Sequence, residues 1–79
     1  MKLNELNQAL QNLKDEGLDV NFIVKPNSII LYSDYTTYKL TESAEPNKFN
    51  AWEVDERDHQ ITDEETWDLE DLMYTLGYC

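Results

Sequence analysis

Leucines recur at positions 3, 6, 10 and 13, and again at 69, 72 and 76 with Met73 among them. Steps of three and four residues stack side chains along one stripe of an α-helix, whereas a strand needs alternation. An amphipathic helix is therefore expected near each end, and the residues between must supply what the two stripes cover. Seventy-nine residues make one small domain, 1–79, and no repeat or linker divides it. A single core of this size supplies only about 3–5 kcal/mol, and one cysteine rules out an internal disulfide. Both stripes are expected to share one core.

The first stripe predicts a helix over residues 3–16, with Asn4, Asn7, Gln8, Gln11 and Asn12 on its outer side. Gly17 suits a left-handed cap, and Leu18 is placed to fold back on the last turn. Val20–Val24 then alternates, with Val20, Phe22 and Val24 on one face. Lys25-Pro26-Asn27-Ser28 reads as a turn. Ile29–Ser33 is apolar on both faces, as a central strand would be. After a second turn at Ser33–Thr36, Thr37–Thr41 reads as a strand with one wet face.

Phe49–Val54 supplies an optional fourth strand, with Trp52 and Val54 inward and Glu53 outward, and Asp55–Gln60 reads as a turn. Thr62-Asp63-Glu64-Glu65 fits a capping box, Thr62 as the cap and Glu65 reaching back, which opens a helix ending near Leu76. The expected fold is α+β: a three- or four-stranded antiparallel sheet with N-terminal and C-terminal helices packed on it, in the order α-β-β-β-(β)-α.

Charge divides the chain. Of seventeen acids and six bases, residues 1–41 hold five and four, and residues 42–79 hold twelve and two. The first half, at net −1, reads as scaffold; the second, at net −10, reads as a charged surface. Such a surface repels phosphate backbones and anionic membranes, so the expected partner is a basic protein and not nucleic acid itself. No apolar run approaches the roughly 18 residues of a membrane span, and Met1-Lys2 opens no apolar leader. The reading is cytoplasmic.

Signatures of catalysis are missing from the sequence. His59 is the only histidine and has no cysteine near it, and two glycines make no phosphate-cradling loop. Ser28, Ser33 and Ser43 sit in turns without a nucleophile elbow. The acids of Asp55–Asp58 and Asp63–Glu65 lack the glycine and the spacing of an EF-hand, so they read as a solvated turn and a helix start rather than a calcium loop. No enzyme activity, metal or cofactor is expected, and Cys79 is given no role.

On the expected second helix, Leu69, Leu72, Met73 and Leu76 form the core stripe, while Trp67, Tyr74 and Tyr78 fall on the opposite side. Glu64, Asp68 and Asp71 run i, i+4, i+7 there, like charges about 5–6 Å apart that weaken a helix slightly. With Asp55, Glu56 and Asp58 on the preceding turn they would form a row of negative charge around aromatic anchors. The candidate partner-binding residues are thus Asp55, Glu56, Asp58, Glu64, Trp67, Asp68, Asp71 and Tyr74. The competing reading puts Trp67 and Tyr74 in a second small core beside Phe49 and Trp52, and treats the acids as solubilising.

The layout of helix Leu3–Glu16, hairpins through Val20–Thr41, an acidic C-terminal half and the capped helix Thr62–Leu76 resembles a group of phage and mobile-element proteins. These are the small acidic DNA-mimic inhibitors of restriction enzymes and of single-effector CRISPR nucleases. The resemblance lies in plan and charge and carries over no residue. It implies a non-catalytic, anti-CRISPR-like inhibitor acting in the host cytoplasm on a basic defence nuclease. Immunity proteins against nuclease toxins are similar in the same way. A homo-oligomeric or adaptor protein that buries the two-sided strand Ile29–Tyr32 stays open beside them, as does a homodimer.

Overall fold

The computed structural model describes residues 1–78; Cys79, and with it the reading of its thiol, lies outside the described residues. The order is α1 (Leu3–Asp15), β1 (Asn21–Lys25), β2 (Ser28–Tyr32), β3 (Thr37–Glu42), β4 (Phe49–Val54), β5 (Glu65–Trp67) and α2 (Leu69–Thr75). The strands form one antiparallel meander in chain order, β1-β2-β3-β4-β5. This is the α+β fold expected, with one strand more at the acidic end.

Strand register decides which face each side chain takes, because neighbours directly across a ladder share a face. Val24, Ile29, Leu40, Ala51 and Glu65 form one row across the sheet, and Phe22, Leu31, Tyr38 and Glu53 the next. A third row runs Glu42, Phe49, Trp67. The helices cover this face: Leu6 and Leu10 of α1 and Leu72 of α2 are fully buried with Ile29, Leu31, Leu40 and Phe49. Both leucine stripes do share one core.

The other face carries the row Ile23, Ile30, Lys39, Trp52. Trp52 and Val54 therefore point away from the helices, opposite to the expectation, and it is Phe49 and Ala51 that enter the core. Val54 and Ile30 are nevertheless buried. The turn after β4 lies over them, held by Asp58, whose carboxylate takes the Lys39 ammonium at 2.9 Å.

Each helix ends in the same motif. Beyond α1, the N–H of Gly17 donates to Lys14 O and that of Leu18 to Leu13 O; beyond α2, Gly77 donates to Tyr74 O and Tyr78 to Met73 O. Both glycines sit at positive φ, 92° and 87°, where a Cβ is strained. The start of α1 is tied to the β3–β4 loop, since the Met1 ammonium donates to the carbonyls of Ser43, Glu45 and Lys48 at 2.7–2.9 Å. A Glu42 carboxylate oxygen also accepts the N–H of Leu3.

The C-terminal helix is the main departure. Residues 62–64 are a bulge, and Glu65–Trp67 is an edge strand. The Thr62 hydroxyl accepts from the Glu53 N–H at 2.9 Å instead of capping a helix. Val54 pairs with Gln60 and Asn50 with Thr66, so four steps along β4 match six along the returning chain. The cap that forms lies six residues later. Asp68 accepts from Asp71 N–H at 2.9 Å and Asp71 accepts from Asp68 N–H at 3.0 Å. Trp67 explains the preference. A helix from Thr62 would hold its ring opposite the leucine stripe, whereas β5 sets it across from Phe49. Burying a large apolar side chain is worth about 1.5–3 kcal/mol, and the forfeited turns are rich in mutually repelling acids.

Candidate partner-binding surface

The eight candidate residues do not form one helical row. Four of them are carboxylates already engaged, Asp55, Asp68 and Asp71 by backbone N–H groups and Asp58 by Lys39. One oxygen of Asp55 accepts the N–H groups of Arg57 and His59 at 2.9 and 2.8 Å and shapes the tight turn after β4. The His59 bond, foremost among its contacts, holds Asp55 below the ordinary carboxylate value. Asp58, at φ 65°, is lowered first by its hydrogen bond to Lys39. Asp68 is lowered first by the Asp71 N–H. Asp71 is the other half of that cap. All three downward shifts favour fixed anions at neutral pH.

Trp67 is 9% exposed and its ring lies 5.2 Å from that of Tyr38 and 6.4 Å from that of Phe49. It is a core residue and not an exposed anchor, which corrects the expectation for that side chain. Tyr74, from the exposed side of α2, is 75% accessible. The two aromatics expected to act together are thus divided between the core and the surface. Glu56 and Glu64 are exposed and make no side-chain hydrogen bond among the described residues.

What the fold assembles is a groove of about 430 Å³ along β4, β5 and α2, where Glu53, Glu65 and Asp71 meet Tyr38, the edge of Trp67 and Tyr74. Glu53 and Glu65 were not among the expected residues. Their signal was the alternation Glu65-Thr66-Trp67, which as a strand puts Glu65 on the same face as Trp67. Burial raises the pKa of the Tyr38 phenol, and the charges of Glu53 and Glu65 raise it further. Carboxylates beside aromatic faces suit a guanidinium or ammonium group, through charge-assisted hydrogen bonds and cation–π contact.

Of the twelve acids in residues 42–79, only Asp58 and Asp55 have an ion-pair partner among the described residues, Lys39 and His59. Of the other ten, Glu42 and Glu45 lie beside the start of α1, and eight lie in the stretch from β4 to α2. Among the described residues no group of three or more His, Cys, Asp and Glu side chains is arranged to hold a metal ion. No helix there is long and apolar enough to cross a membrane. No known family model, curated protein or solved structure matches the chain.

Proposed function

We propose that the chain is a non-catalytic acidic inhibitor that occupies the nucleic-acid groove of a bacterial defence nuclease, such as a CRISPR effector. The observation that carries this reading is the set of eight carboxylates from β4 to α2 that have no ion-pair partner among the described residues. A fold under selection for stability alone pairs or disperses such charges. A groove that receives nucleic acid presents Lys and Arg at the spacing of phosphates. The acidic side offers those cations alternative partners, and Glu53, Glu65 and Asp71 with Tyr74 provide one recess for a basic side chain to enter. The carboxylates fixed by backbone N–H groups, Asp55 and Asp68, are already ordered, so less entropy is lost when they meet a partner.

The test is capture of a basic nuclease by the immobilised chain from lysates that contain defence nucleases, washed at about 0.1 M and then 0.5 M salt. Supporting the reading are retention at the lower salt, release at the higher, and displacement by competing DNA together with inhibited cleavage. A partner indifferent to both salt and DNA would refute it.

A further inference from the structure

We infer that the outer edge of β1 pairs with the same edge of a second copy of the chain, antiparallel and centred on Phe22. β1 stands at one end of the sheet, and among the described residues no strand pairs with its outer side. Its Ile23 and Val24 side chains, on opposite faces of the sheet, are 50% and 49% exposed. Natural edge strands are blunted by charges, proline, bulges or brevity; Asn21-Phe22-Ile23-Val24 has none of these, and its one charge, Lys25, comes at the end.

The hairpin fixes which backbone groups are free. Lys25 and Ser28 face each other across the two-residue loop Pro26-Asn27, a position that makes them a hydrogen-bonded pair. Bonding alternates along an antiparallel ladder, so Ile23 and Asn21 also bond to β2. The N–H and C=O groups of Val24 and Phe22 then point outward, with Val20 in the same phase.

Two copies can align only where outward residues meet outward residues. Centred on Phe22, the register sets Phe22 against Phe22 and Val20 against Val24 twice, all with free backbone groups. The same register sets Asp19 against Lys25 at both ends. Centred on Ile23 instead, Val20 meets Pro26, which has no N–H, and Asp19 meets uncharged Asn27. The Phe22 register thus makes more hydrogen bonds and adds two opposite-charge pairs. Among the described residues the Asp19 carboxylate accepts only from the Asn21 side-chain amide, and Lys25 is exposed and makes no ion-pair contact, although its charge also acts on Asp58 across the face of the sheet.

Electrostatics selects a second copy as the occupant and this edge as the contact. Each chain carries net −11 and repels its like, yet the β1 end belongs to the half at net −1. The sheet order keeps the acidic β5 edge at the far end. A two-fold axis through paired Phe22 residues closes the assembly as a dimer.

Sedimentation equilibrium at about 0.15 M salt, where charges are screened beyond roughly 8 Å, reads the outcome. The unaltered chain is expected to reach twice its monomer mass as concentration rises. Asp19→Lys alone and Lys25→Asp alone each oppose like charges and shift the protein toward monomer. An equimolar mixture of the two restores opposite pairs and the dimer. Val24→Pro, which removes one outward N–H and leaves the β2 ladder intact, gives a monomer with an unchanged circular dichroism spectrum. The inference is overturned by an unaltered chain that stays monomeric throughout, by single reversals that leave the dimer intact, or by a mixture that fails to re-form it. Should Val24→Pro fail to fold, the mixing experiment decides alone.

Discussion

The backbone N–H of Asp19 donates to the phenolic oxygen of Tyr78 at 2.8 Å, across 59 positions of sequence. Each residue follows a helix that ends at a left-handed glycine, Gly17 or Gly77. The bond therefore joins the exits of the two helices and sets where α2 stops relative to α1. Tyr78→Phe is expected to cost about 0.5–1 kcal/mol, the net worth of one such bond. Hydrogen exchange at the Asp19 amide should quicken in the same variant. An unchanged exchange rate would remove this link from the account.

Trp67 and Tyr74 should respond to truncation in opposite ways. Trp67→Ala leaves a hole beside Tyr38 and Phe49, and removal of a buried tryptophan costs about 3–5 kcal/mol. That is most of the stability of a domain this small. Tyr74→Ala, on the exposed side of α2, should stay within about 0.5 kcal/mol. Urea midpoints measure both; equal losses would place Tyr74 in the core after all.

Acid should loosen the turn after β4 and the start of α2. Asp55, Asp58 and Asp68 have folded pKa values below their ordinary 3.8. In acid the unfolded chain therefore takes up their protons before the folded one does. Their contribution is complete above the unfolded value and is lost as pH falls from about 4 through the folded values. Asp68→Asn keeps an acceptor for the Asp71 N–H and should flatten this part of the acid limb, whereas Asp68→Ala should lower the urea midpoint at every pH. Thermal melts across the acid range follow both effects.

Reversal of Glu56, Glu64, Glu65 and Glu70 to lysine tests the acidic side without touching a cap. All four are exposed, and none accepts a hydrogen bond from the backbone of α2 or of the β4 turn. The fold should survive by circular dichroism, while association with a basic nuclease slows by roughly tenfold or more at low salt. The same reversal applied to Asp68 and Asp71 would dismantle the α2 cap and confuse loss of binding with loss of structure. An association rate unmoved by the four reversals would count against the proposed acidic contact.

The parts of the fold legible in the sequence were those whose signal is local. Leu3 to Leu13 and Gly17 define α1 and its exit; Pro26-Asn27 defines the first hairpin; alternation marks β3. What misled was competition between two equally good local signals. Thr62-Asp63-Glu64-Glu65 and Asp68-Leu69-Glu70-Asp71 both spell a helix start, and the choice between them rests on Trp67 reaching Phe49 across the sheet. That contact is a tertiary one. Trp52 was misplaced for a related reason, because β4 is apolar on both faces and only its register with Leu40 and Lys39 decides which side is inward. The acidic surface was legible as composition, but its recess was not, since Glu53 and Glu65 converge only once β5 exists.

The meander keeps neighbours in the chain as neighbours in space, so a sequence imbalance becomes a spatial one. The nearly neutral strands β1 and β2 stand at one edge of the sheet and the acidic β4, β5 and α2 at the other, with the Asp55–Asp58 turn folded back toward Ile30 and Lys25. In the field of a cationic body such a molecule feels a turning moment as well as an attraction. It rotates before contact, so that β4, β5 and α2 arrive first and β1 trails on the side facing away. Collisions are thereby sorted by orientation, and strand order does the sorting.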